Sequence, residues 1–185
     1  TFNWTHITTI AWAGEPELMC AAHSHGVRVI LSSPSVILTD NVTARAHFVD
    51  SVVSNVQEHF ADGVTFDYES PLPAGDVRSS YYAALISETR AALHKAHPSY
   101  QVSTCVAWSP DSIDGRNYPM QALADASDLL YVMDYDTRSQ VFDACLASAN
   151  APYFGMIKGL QRYFEIGISP SKLVLGVPWY GKLNH

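Results

Sequence analysis

The sequence predicts an α/β fold, a (β/α)8 TIM barrel of which about six of the eight strand–helix units are present. Three observations predict it. Strand-like and helix-like segments alternate along the chain, and the strand-like segments are short and mostly apolar on both faces, as parallel strands covered by helices must be. Polar and aromatic residues also collect where those strands end: Trp12, Ser32, Asp67 with Glu69, Trp108, Tyr135 with Asp136, and Trp179 with Tyr180. A barrel builds its working face from such ends. No glycine-rich phosphate loop follows the first strand, which removes the main cue for a nucleotide-binding doubly wound sheet. A barrel of ~250 residues uses about 31 per unit. The 185 residues therefore read as one catalytic-type domain, 1–185, truncated at both ends.

Taken in order, Ile7 to Trp12 is apolar and β-branched and is closed by Gly14 and Pro16, hence the first strand. A short helix over Glu17 to His25 stops at Gly26, a residue type that commonly ends helices. Val27 to Leu31 is the second strand and runs into the serine-proline loop at Ser32 to Ser35. Asp40 or Asn41 caps a helix from about Thr43 to Phe60, with Phe48, Val52, Val53, Val56 and Phe60 at helical spacing. The third strand lies within Ala61 to Ser70, and a proline-rich loop follows it. Val77 to His97 is a long helix of good formers ended by Pro98. Gln101 to Trp108 is the fourth strand, Met120 to Ala126 a short helix, and Leu129 to Asp134 the fifth strand. Helices over Gln140 to Ala149 and Gly155 to Ile166 then lead to a sixth strand, Leu173 to Val177.

With 48% hydrophobic and 16% charged residues the chain is globular rather than disordered. A net charge of −7 without any basic cluster argues against nucleic acid or an anionic membrane surface as partner, and a neutral ligand suits it better. No apolar run approaches the ~20 residues of a membrane-spanning helix, and no basic-then-apolar leader opens the sequence, which reads as mid-protein from Thr1. Cys20, Cys105 and Cys145 lack metal or redox spacing. One disulfide beside one free thiol is compatible with them, and the pair is not determined. Asn3-Trp4-Thr5 and Asn41-Val42-Thr43 fit the N-glycosylation pattern and lean toward the secretory pathway. The eight histidines are scattered, and His23 and His25 read as surface residues at a helix end rather than as metal ligands.

The chemistry concentrates in Asp62-Gly63-Val64-Thr65-Phe66-Asp67-Tyr68-Glu69. Read as a strand, this stretch places Thr65, Asp67 and Glu69 on one face and Val64, Phe66 and Tyr68 on the other. Crowded or buried carboxylates cost several kcal/mol unless compensated, and one of a pair then keeps its proton near neutral pH. That is how a general acid is made.

With Met133-Asp134-Tyr135-Asp136 and Gly176-Val177-Pro178-Trp179-Tyr180-Gly181 following in order at strand ends, the chain resembles glycoside hydrolase family 18 from about Trp4 to Gly181. The resemblance implies a retaining hydrolase acting on β-1,4-linked N-acetylglucosamine, in the chitobiose core of N-glycans or in chitooligosaccharides. Glu69 would be the acid and base, Asp67 would hold the acetamide N–H, and Tyr135 its carbonyl. Asp136 would contact the distorted sugar; Trp108 and Trp179, with their apolar ring bodies at strand ends, read either as stacking platforms for sugar faces or as core aromatics at the barrel rim. No metal or cofactor is implied. An endo-acting chitinase and a non-catalytic chitin-binding or lectin-like member are the alternatives. A lysosomal or secreted protein, monomeric when full length, is expected. The family pattern DxxDxDxE is met at Asp62, Asp67 and Glu69, but Thr65 stands where an inner aspartate is usual, so altered pH behaviour is expected before loss of activity. The resemblance also implies that the first and eighth barrel strands are absent, together with the sugar-flooring tryptophan of the eighth. The 185 residues alone are then expected to hydrolyse weakly or not at all.

Overall fold

The computed structural model describes residues 3–11, 15–136 and 148–181. Trp12, Gly14, Cys145 and most of the helix expected over 140–149 lie outside those residues. Six strands, β1 (Thr9–Ala11), β2 (Arg28–Ser32), β3 (Gly63–Phe66), β4 (Gln101–Ala107), β5 (Leu129–Met133) and β6 (Leu173–Gly176), form one sheet in sequence order. Every neighbouring pair is parallel, as in Val64 opposite Val102 and Val132 opposite Leu175. The helices are α1 (Pro16–Ser24), α2 (Val42–Glu58), α3 (Arg78–Ala96), α4 (Met120–Ala126) and α5 (Tyr153–Glu165). The sheet curls into an open barrel section, six strands of the eight that would close it.

Alternation along the strands separates two environments. Val29 and Leu31, Val64 and Phe66, Val102 and Val106, and Leu130 and Val132 face the helices and are buried. They meet Val52 and Val56 of α2, Leu85, Ile86 and Leu93 of α3, and Leu123 of α4 in one core. Burial of each such side chain contributes roughly 1.5–3 kcal/mol, which holds the helices on the sheet. The opposite face is more polar than the sequence pattern suggests, since Thr65, Gln101 and Ser103 line the concave side with Ile30 and Leu129. The difference marks the lumen.

Two acidic residues pin the strand starts. Asp62 accepts a hydrogen bond from the Val29 N–H at 2.7 Å and pairs with His23 at 2.8 Å. Asp128 accepts from the Val102 N–H at 2.8 Å and pairs with Arg90 at 2.6 Å and His94 at 3.0 Å. Burial works against the Asp128 charge, but these donors outweigh it and hold its carboxyl below the usual range. Asp62, the first acid of the family pattern, therefore lies at the opposite end of β3 from Asp67 and has a structural task.

Asn41 caps α2, its Oδ1 accepting the Ala44 N–H at 3.0 Å, and Asn3 accepts the Thr5 N–H at 3.3 Å, so both glycosylation triplets sit at helix caps. α2 ends two residues before Phe60, which turns left-handed with φ 55° and is exposed rather than in the core face expected for it. Cys20 and Cys105 are free thiols. Among the described residues no helix is long and apolar enough to cross a membrane.

The outer edges of β1 and β6 are unpaired among the described residues, and β6 exposes Val174 and Leu175. Such edges and faces are prone to pairing or aggregation. At the other side of β5, α5 presses on the end of β4: a Cβ built on Gly159 would stand 2.0 Å from the Trp108 carbonyl oxygen. Gly159→Ala is therefore expected to destabilise the fold by about 1–3 kcal/mol or more, since a backbone atom cannot swing aside. A lowered denaturant midpoint with an unchanged slope would show it.

Candidate active site

The lumen is a cavity of about 400 Å3 at the concave face of the sheet, lined among others by Thr65, Asp67, Cys105, Tyr131, Met133 and Tyr135. β3 supplies Thr65 from the strand and Asp67 from just past its end, so these two share the lumen face as alternation predicts. β5 supplies Tyr131 and Met133, and Tyr135 continues the same face beyond the strand. Gly176 of β6 makes the room for this: a Cβ there would lie 2.6 Å from the Tyr131 ring.

Asp67 Oδ1 is buried and has no hydrogen-bond partner among the described residues. An orphaned buried carboxylate oxygen costs free energy unless a ligand or water meets it. The Thr65 hydroxyl, where the family pattern has an acid, lies 3.9 Å from the Cys105 Sγ. Burial first, and then the Asp67 charge, pushes the Cys105 thiol up to about 12, so it is an inert neutral group of the lumen wall. Burial also pushes the Tyr135 hydroxyl up, and Tyr135 shares a side-chain hydrogen bond with Tyr131. Its phenol is a neutral donor at any working pH.

Glu69 departs from the expected strand geometry. β3 ends at Phe66, so Glu69 stands three residues beyond the ladder, and its side chain is 54% exposed and bonded to Arg116 at 2.8 Å. Asp136 has φ 50°, its N–H donates to Asn150 Oδ1 at 2.8 Å, and its carboxylate hydrogen-bonds Tyr180. The Tyr180 ring stands edge-on to Tyr135 with centroids 6.4 Å apart. Tyr180, a strand-end aromatic in the sequence, thus touches two candidate site residues. Trp179 is almost fully exposed at the rim. Trp108, expected to meet a sugar, lies on the opposite face of β4 from Ser103 and Cys105 and packs against Gly159, Pro152 and Gly155 instead. β4 ends at Ala107, so Trp108 stands just past the ladder, where the close approach of α5 at Gly159 sets its surroundings.

Residues 19–185 match Glycosyl hydrolases family 18. The chain belongs to that family. Family relatives include di-N-acetylchitobiase of Rattus norvegicus, 42% identical over 185 residues, 98% of this chain and 50% of the relative. The Homo sapiens di-N-acetylchitobiase is 40% identical over 98% of this chain and 48% of its own length. This chain spans about half the length of those relatives. The family 18 chitinase of Cycas revoluta, solved in complex with allosamidin, superposes with a TM-score of 0.73 at 22% identity, covering 96% of this chain and 63% of that one. That likeness shows the family 18 barrel fold.

One buried acid of the family 18 chain lies outside the lumen. Asp134 is 1% exposed beside Trp108, Pro152 and Met156, and neither carboxylate oxygen has a partner among the described residues. Burial pushes its carboxyl up to about 7 from 3.8. Between those values the folded chain holds a proton that the unfolded chain has released, so stability falls as pH rises from about 4 to about 7. The span is worth up to about 4 kcal/mol. Thermal melts of Asp134→Asn are expected to lose most of that slope, while an unchanged slope would place the titration elsewhere.

Proposed function

We propose that the protein carrying this chain is a retaining glycoside hydrolase that cleaves β-1,4-linked N-acetylglucosamine, using the substrate's own 2-acetamido group as nucleophile. The observation that carries the reading is the buried, unpartnered Asp67 Oδ1 in a lumen shared with the neutral phenol of Tyr135. An acetamide offers one N–H and one carbonyl, which are the complements of that pair.

In the first step the acetamide carbonyl oxygen attacks the anomeric carbon as the glycosidic bond breaks, and Glu69 gives its proton to the departing oxygen. Asp67 accepts from the acetamide N–H and stabilises the positive charge of the oxazolinium intermediate, while Tyr135 holds the carbonyl in line. Water then attacks the same carbon from the vacated side, giving its proton to Glu69, and the acetamide is released. Two inversions leave the configuration retained. Asp136, steadied by Asn150 and Tyr180, contacts the distorted sugar. Trp179 offers an apolar ring at the rim on which a sugar face can stack. The family relatives point to a chitobiose-containing glycan as the substrate, and a lysosomal or secreted location goes with that reading.

Proton NMR of the first product formed by the full-length protein tests the stereochemistry. The β-anomer is expected before mutarotation, and initial α-anomer would overturn the reading.

A further inference from the structure

We propose that Arg116 is a positioning residue for Glu69, and that the loop from Ser112 to Tyr118 is built to set where this carboxylate stands. The proposal rests on the reading of Glu69 as the acid. With β3 ending at Phe66, no sheet hydrogen bond fixes Glu69, so something else must.

The Arg116 side chain is 9% exposed, against 54% for Glu69, and is held by its own loop. Its Nη2 donates to Asp114 Oδ2 at 2.9 Å and its Nε to the Ile113 carbonyl at 3.3 Å, which leaves Nη1 to donate to Glu69 Oε2 at 2.8 Å. The cation is the fixed partner and the carboxylate the guided one. Around it the same loop grips the main chain on both sides of Glu69. The Tyr118 hydroxyl lies 2.9 Å from the Tyr68 carbonyl and 2.7 Å from the Ser70 carbonyl, one residue to either side. Further on, the Leu72 N–H donates to the Gly115 carbonyl at 3.0 Å, and Asn117 Nδ2 donates to the Leu72 carbonyl at 2.8 Å. Tyr68, Tyr82 and Tyr118 pack ring on ring beneath, with centroids 5.3–5.9 Å apart. The loop takes left-handed backbone at Ser112 and Asp114, neither a glycine, with φ 56° and 54°. An ion pair with one exposed partner adds little stability, so the value of this one lies in placement.

The test compares two substrates in the full-length protein. A β-1,4 N-acetylglucosamine disaccharide needs a proton on its leaving oxygen, whereas a 2,4-dinitrophenyl N-acetylglucosaminide does not. Arg116→Gln is expected to lower kcat/KM on the disaccharide about tenfold to a hundredfold, with the dinitrophenyl substrate changed less than about threefold. Arg116→Lys, which restores a cation, is expected to recover most of the loss. Equal losses on both substrates, or none on either, would overturn the proposal. Tyr118→Phe keeps the ring and removes the straddling hydroxyl, so the same selective loss in it decides the matter where Arg116→Gln does not fold. Glu69→Gln assayed on the same pair separates the two ideas. Without a selective loss there the acid assignment itself fails, and with it there but not in Arg116→Gln or Tyr118→Phe only the positioning role fails.

Discussion

Glu69→Gln in the full-length protein is expected to lower hydrolysis of a β-1,4 N-acetylglucosamine disaccharide by about 10³-fold, inside the range that a positioned general acid contributes. The substitution is close to isosteric. Its amide oxygen can still accept the Arg116 N–H that now reaches Glu69 at 2.8 Å, and the side chain is more than half exposed, so no core is disturbed. Thermal melting should therefore stay within about 0.5 kcal/mol of wild type, as for ordinary surface changes. Loss of turnover with an unchanged melt assigns the effect to chemistry. Turnover that survived the change would remove Glu69 from the mechanism.

The second large effect is expected at Asp67. Asp67→Asn should lower kcat/KM for the same disaccharide by about 10²- to 10³-fold, the scale on which removing one preorganised charge-stabilising group acts. The fold should not suffer, because Oδ1 has no partner among the described residues to lose. A second readout comes from the neighbour. The Cys105 thiol is pushed up to about 12 by burial and then by the Asp67 charge, so removing that charge should shift its titration downward. Thiol alkylation rates against pH measure this directly. An Asp67→Asn protein whose Cys105 titrates unchanged would contradict the geometry of the lumen, whatever its activity.

The fold was legible to the extent that burial follows periodicity. The expected strands at Val27, Gln101, Leu129 and Leu173 match β2, β4, β5 and β6 to within two residues at each end, and Asn41 is the cap that α2 uses. Helix-facing residues such as Val64, Phe66, Val102 and Leu130 alternate as strand geometry demands. Where the reading failed, tertiary geometry decided. Glu69 was placed on the face of Asp67 by extending a strand that stops at Phe66, and a period of two says nothing once the ladder has ended. Trp108 stands at a strand end as expected, but just past Ala107 it meets α5 at Gly159 rather than the lumen, a contact that strand periodicity does not report. Arg116 and Tyr118 left no local signal. They act on residues 47 to 50 positions earlier in the chain, and only the folded loop brings them there. Tyr180 could have been found by asking what stands over Tyr135 once β5 and β6 are neighbours.

Thr65 stands where the family pattern has an inner acid. It supports Asp67 with no second carboxylate and offers a hydroxyl that turns to Cys105 instead. In the proposed mechanism the acetamide is what Asp67 is aimed at. A rate comparison between the β-1,4 N-acetylglucosamine disaccharide and its counterpart with a 2-hydroxyl in place of each acetamide measures this most directly in the full-length protein. Hydrolysis of the acetamido substrate with no detectable turnover of the 2-hydroxyl analogue is the predicted result, and comparable rates on the two would contradict acetamide-assisted catalysis.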